Sequence, residues 1–230
     1  MAMSAEKRDK TKKLSFKLAV LLLGVGRVCI VLGLVLGLIF FYPALSEELK
    51  YLMHRPNLNK PVLTAEDISS RKSLDPDTVT VPVDMEFGIV IPKIGANASV
   101  VPNVDPYDSS VYQQALTKGV AHAAGTVYPG QIGNVFLFSH SSVDFYEANR
   151  FNSVFYLLNK LKTNDLFYLT YKGEIFKYIV TAAKIVDGTE VKYMNSALDS
   201  TTPGKTATLM TCWPSGTTLK RLVVIGNLTE

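Results

Sequence analysis

Hydrophobic and polar positions divide the chain into three textures. Residues 18–42, LAVLLLGVGRVCIVLGLVLGLIFFY, are apolar almost without a break. Residues 43–83 are mixed and polar, with Pro56, Pro61, Pro76 and Pro82 spaced through them. From about residue 84 short apolar runs alternate with turn-forming residues. MEFGIVIP (85–92) and NASVV (97–101) read as a hairpin pair about a Gly95-Ala96-Asn97 turn. SSVYQQAL (109–116) reads as a short helix capped by Asp108 or Ser109. NVFLFSH (134–140) reads as a strand ending on His140, and NSVFYLLNKL (152–161) has helical spacing behind an Asn152 cap. DLFYLTY (165–171) and EIFKYIVTAAKIV (174–186) flank Lys172-Gly173 as the clearest hairpin. TATLMTC (206–212) and LKRLVVIGNL (219–228) complete seven or eight short strands. So many strands, with only one or two small helices, predict a mainly β closed barrel or sandwich. Residues 84–230 are long enough for one core.

Length decides the reading of the first apolar segment. At 1.5 Å per residue, residues 18–42 make a helix of about 37 Å, more than the roughly 30 Å of a bilayer core. Arg27 near its middle costs about 2.5–3.5 kcal/mol on insertion scales. More than a dozen Leu, Ile, Val and Phe residues outweigh it. A cleaved signal would have a shorter apolar core, so an uncleaved anchor is expected. The expected division is therefore a basic cytoplasmic tail (1–17), a transmembrane anchor (18–42), an extended linker outside the membrane (43–83) and a β domain (84–230). The linker's His54 reads as an ordinary exposed histidine.

Charge supports that topology and excludes one class of partner. Residues 1–17 hold six basic and two acidic residues, so the tail alone accounts for the net charge of +4. Basic residues before the apolar segment place the N-terminus inside by the positive-inside rule. The rest of the chain is charge-balanced, which argues against a nucleic-acid-binding face.

Chemistry concentrates at strand ends. The chain has two cysteines, Cys29 in the apolar segment and Cys212 closing TATLMTC, so a disulfide between them is not expected. Alternation sets Thr206, Thr208, Met210 and Cys212 on one face and Ala207, Leu209 and Thr211 on the other. A strand-end thiol is open to substrate; a small buried hydrophobe is the ordinary alternative. Arg221 opens a strand that is apolar on both faces, where a guanidinium needs a partner or a site. His140 ends the apolar row Phe136, Phe138. A thiol nucleophile, an imidazole to move the proton and a cation for the oxyanion form an acyl-transfer set.

These residues resemble a known family. Thr208-Leu209-Met210-Thr211-Cys212, followed after eight residues by Arg221-Leu222-Val223-Val224, is similar to the TLxTC…R signature of sortases. IPKI (91–94) resembles their opening strand, and GVAHAAGTVYPGQIGNVFLFSHSS (119–142) resembles the segment that ends in their catalytic histidine. The resemblance covers about residues 85–228. It implies an eight-stranded barrel and a cysteine transpeptidase acting on LPxTG-like sorting signals, with transfer to an amine of a cell-wall precursor or a pilin. It assigns Cys212 as nucleophile, His140 as general acid and then base, and Arg221 as substrate and oxyanion contact. Thr208, Met210, Thr211 and Trp213 are expected to meet the substrate, Thr211 through the oxyanion hole and Trp213 by narrowing the groove. His122 reads as a supporting or core histidine. Asp105-Pro106-Tyr107 reads as ordinary loop and not as the lid of pilin-building members. No metal and no cofactor are expected. A non-catalytic exterior barrel that binds a surface partner stays open as an alternative, as does a cysteine peptidase that releases its product to water.

Overall fold

The structure, a computed structural model, describes residues 2–53, 62, 80–141, 154–188 and 204–229. Asn152, His54 and most of the linker lie outside the described residues. Two units are distinguished, residues 1–46 and 47–230, and each is described by itself.

One continuous helix, α1, runs Ala2–Met53. Within it Phe16–Ile39 has a mean hydropathy of 2.6 and none of its surface is covered. Its 24 residues span about 36 Å, so this stretch is long and apolar enough to cross a membrane.

The β unit contains β1 (Phe87–Ile91), β2 (Ala96–Val104), α2 (Ser109–Leu116), β3 (Val120–Ala123), β4 (Gly133–Phe138), β5 (Leu166–Tyr171), β6 (Glu174–Asp187), β7 (Lys205–Trp213) and β8 (Lys220–Leu228). The strands close into a barrel in the order β1-β2-β3-β4-β7-β8-β6-β5, with β5 returning to β1. Two neighbouring pairs are parallel, β2 with β3 and β4 with β7; the remaining pairs are antiparallel.

Each strand's alternation now has two destinations. Inward residues such as Leu137, Leu209, Leu222 and Val224 fill the barrel. Outward residues of the β3–β4–β7–β8 wall, including Phe136, Phe138 and Val223, form a second cluster with Ala115 and Leu116 of α2. That helix is the crossover between the parallel strands β2 and β3. Asp108 caps it, its carboxylate accepting the N–H groups of Ser110 (2.9 Å) and Val111 (3.3 Å). A wall covered on both sides explains why LKRLVVIGNL is apolar throughout.

Three expectations change. The β1–β2 connection is a 3₁₀ turn, Pro92–Ile94, closed by Gly95 at φ 66°, and not a Gly95–Asn97 turn. Asn97 is a β2 residue opposite Val90, and its amide side chain bonds Val81 O and Val83 N–H ahead of β1. VAHA (120–123) is an additional short strand. The expected helix over 152–161 is a 3₁₀ turn at Leu158–Lys160. Its buried residues Phe155, Leu158 and Leu161 recur every three positions, the 3₁₀ period, and all enter the inner cluster.

Close packing leaves room for nothing larger than hydrogen at Gly226 of β8. A Cβ there would stand 2.5 Å from the Phe167 ring and 3.1 Å from Ile179 O. Gly226→Ala is therefore expected to destabilise the barrel by about 1–3 kcal/mol through overpacking, measured as a lowered urea midpoint.

Candidate active site

The site is built on the outward face of the barrel wall. Cys212 lies two residues beyond Met210 and one beyond the inward, buried Thr211, so it projects outward. Its direct neighbour across β7–β8 is Arg221, and Arg221's neighbour across β8–β6 is Val186. Val186, Arg221 and Cys212 thus form one cross-strand row. Below it runs a second row, Val223, Met210 and Phe138, which supplies an apolar floor.

The ladder between β4 and β7 sharpens this geometry. Gly133 N–H donates to Gly204 O at 2.9 Å, and Ser139 N–H to Met210 O at 3.2 Å. Even-numbered residues of β7 therefore aim their main-chain groups at β4, and odd-numbered ones at β8. Cys212 and Arg221 consequently form a non-hydrogen-bonded pair, the closer type, with Cα atoms about 4.5 Å apart.

Arg221 is held by the turn that precedes it. Its Nη1 donates to Thr218 O and Lys220 O, each at 3.0 Å. Among the described residues no carboxylate pairs with it, so Nε and Nη2 keep donors for a ligand. Cys212 is half-buried and is not in a disulfide. His140 is half-buried as well. Phe138 is paired with Met210, so His140 and Cys212 each stand two residues past the same rung.

The four expected substrate contacts divide. Met210 is half-buried on the thiol's face. Thr208 shares that face but is fully buried, its hydroxyl donated to Asn134 Oδ1 at 2.9 Å. Thr206 donates to the same oxygen at 3.1 Å. Thr211 and Trp213 point to the opposite side. Thr211 is buried and donates to Ser139 O at 2.8 Å, while Trp213 packs against the inner cluster. Sequence reasoning had no role for Val186 or Asn134. Val186 emerges only from the β6–β8 register, whereas alternation with Phe136 already marked Asn134 as outward.

His122 is a core histidine. It is 1% exposed, on the inward face of β3, opposite Leu137. Its Nδ1 accepts the Asn103 N–H at 3.3 Å, which fixes the neutral tautomer with the proton on Nε2. That N–H points at Val127 O (3.1 Å) and Thr126 Oγ1 (2.9 Å). Burial lowers its pKa from 6.5, outweighing the Val127 carbonyl, which raises it. Asp105 accepts the Tyr107 N–H at 2.9 Å in a local turn after β2. Among the described residues, no group of three His, Cys, Asp or Glu gathers as a metal site would require.

A closed barrel with a strand-end cysteine beside an arginine defines the class of β-barrel cysteine transpeptidases. Comparison with known proteins narrows the class. The profile described as the sortase domain matches residues 89–229. The chain belongs to the sortase family, whose members are cysteine transpeptidases. It is 33% identical to sortase A of Listeria monocytogenes over 131 residues, covering 56% of this chain and 54% of that protein. The chain thus spans about half the length of the curated relative it matches. It is similar to sortase C-1 of Actinomyces oris, with 25% identity, TM-score 0.53, and coverage of 80% of this chain and 97% of that one. A lid mutant of sortase A from Corynebacterium diphtheriae matches with 25% identity and TM-score 0.51, covering 64% and 71%.

His122 makes stability depend on pH. The unfolded chain takes up a proton near pH 6.5 that the folded imidazole resists, so the unfolded state binds more protons below that pH. Stability is expected to fall from pH 7 towards pH 5 and to level off below the folded pKa. Urea midpoints at pH 7 and 5.5 check this, with His122→Leu showing a smaller difference between the two.

Proposed function

We propose that this protein is a membrane-anchored transpeptidase that cleaves an LPxTG-like sorting motif and passes the acyl group to an amine. The observation that carries the proposal is the pairing of Cys212 with Arg221 on the outward face, beside the β4 end that leads to His140. The Cys212 sulfur attacks the carbonyl carbon after the motif's threonine. The resulting oxyanion is met by the free donors of Arg221. His140 gives a proton to the departing amine, the C–N bond breaks, and a thioester joins the peptide to Sγ. An amine of a cell-wall precursor or a pilin then attacks that thioester, His140 takes its proton, and the thiolate leaves. Val186, Met210, Val223 and Phe138 give the groove an apolar floor suited to the leucine and proline of such a motif.

The same proposal covers location. The lysine-rich residues 1–17 stay in the cytoplasm, α1 crosses the membrane, and the barrel stands on the cell-wall side, where sorting signals of secreted proteins arrive.

The test uses the full chain in detergent, an LPxTG peptide and triglycine as acceptor. A thioester is expected by mass on the wild type and none on Cys212→Ala. His140→Ala is expected to lower kcat/KM by about 10²–10⁴-fold. Arg221→Ala should lower it by about 10²–10³-fold, and Arg221→Lys should not restore it. Peptide cleavage retained in Cys212→Ala would refute the mechanism. Hydrolysis unaffected by triglycine would make the protein a peptidase.

A further inference from the structure

The β4–β7 ladder stops one rung short of the nucleophile. Regular parallel pairing repeats every two residues, with each carbonyl on β4 receiving the next outward N–H of β7. Ser139 N–H bonds Met210 O, so the following rung would join the Cys212 N–H to Ser139 O. That bond is not made. Ser139 O instead receives the Thr211 hydroxyl, 2.8 Å away and buried. The Ser139 side chain adds nothing to this junction, because its buried hydroxyl has no partner among the described residues. The Cys212 N–H is thereby left facing the β4 rim, next to the sulfur, with no acceptor among the described residues.

We infer that Thr211 is a positioning residue whose hydroxyl occupies Ser139 O and so keeps the Cys212 N–H unpaired as an oxyanion donor. The inference deepens the acyl-transfer reading and rests on it. A donor on the nucleophile's own amide is one bond from Cα and cannot drift from the thiol. It complements Arg221, whose guanidinium approaches from the opposite strand. Thr211 acts without touching the peptide, since it points into the barrel. The arrangement also explains why a threonine stands there: a hydrophobic residue would leave Ser139 O without a donor, and the Cys212 N–H would close the ladder to satisfy it.

Two readouts test this, one of them independent of turnover. The chain has two cysteines, so the full-length protein labelled with ¹⁵N-cysteine in detergent gives two amide signals, assigned with Cys29→Ser. The Cys212 amide is expected to exchange with deuterium rapidly in the wild type. In Thr211→Val its exchange should slow at least tenfold, and in Thr211→Ser it should return to the wild-type rate. In peptide cleavage Thr211→Val is expected to lose about 10–10³-fold in kcat with KM within threefold, the loss associated with one oxyanion donor, and Thr211→Ser to recover most of it. Alkylation of Cys212 by iodoacetamide should stay within threefold in all three proteins, which separates loss of the donor from misfolding. A protected Cys212 amide in the wild type, or Thr211→Val with unchanged exchange, overturns the inference whether or not a sorting peptide is cleaved. Absence of cleavage by the wild type, with the exchange pattern as expected, overturns the transpeptidase reading alone.

Discussion

The parallel pairing of β4 with β7 is the constraint on which the rest depends. The partners are about seventy residues apart in sequence, and parallel neighbours cannot be joined by a tight turn. The intervening chain therefore travels round the barrel, laying down the β5–β6 hairpin between β1 and β8, before it returns beside β4. Because β4 and β7 run the same way, both reach the same rim at their C-terminal ends. An antiparallel arrangement would have sent Cys212 and the residues after Phe138 to opposite ends. The antiparallel β8 then begins at that rim, which is why the residue opening it, and not one closing it, stands beside the sulfur.

Only one wall of the barrel is apolar on both faces, and the candidate site lies on it. The inner cluster holds the wall rigid, and α2 with Phe136, Phe138 and Val223 shields the outer face short of the rim. Polar groups inside this wall are satisfied locally: Asn134 accepts from both Thr206 and Thr208. A wall packed in this way holds Cα positions while leaving the last row, Val186, Arg221 and Cys212, open. Preorganised donors on rigid strands are worth more to a developing oxyanion than donors on a loop, since they need not reorganise as charge appears.

How much of this was legible varies with how local each feature is. The β5–β6 hairpin was plain, because alternation and a Lys172-Gly173 turn are contained in one stretch. The α2 cap was equally plain from Asp108 and its following serines. VAHA escaped notice because four small residues between two glycines show no alternation, and the parallel register gives them their place. The segment at 154–161 was misread because apolar residues three apart fit either a helix or a 3₁₀ turn, and only the barrel mouth selects between them. Within the site, Cys212, Arg221 and His140 stood out as polar residues at the ends of apolar strands. Their facing directions followed from alternation, but their adjacency depends on long-range register, which no local pattern encodes.

That register is where the two faces of TLMTCW meet. Leu209, Thr211 and Trp213 belong to the barrel, while Thr208, Met210 and Cys212 belong to the outer wall. A slip by one residue would bury the sulfur and turn the Thr211 hydroxyl and the indole outward. Several contacts oppose such a slip. Leu209 is fully buried, Thr208 has its hydroxyl on Asn134, and Thr211 has its own on Ser139 O. Each residue before the cysteine thus spends its side chain on fixing which way the cysteine points. A threonine-rich strand is suited to this, because its β-branched side chains favour the extended backbone and its hydroxyls bond neighbouring strands without admitting water. The motif that looks like a recognition element in one dimension is, in the folded chain, largely the mount for a single sulfur.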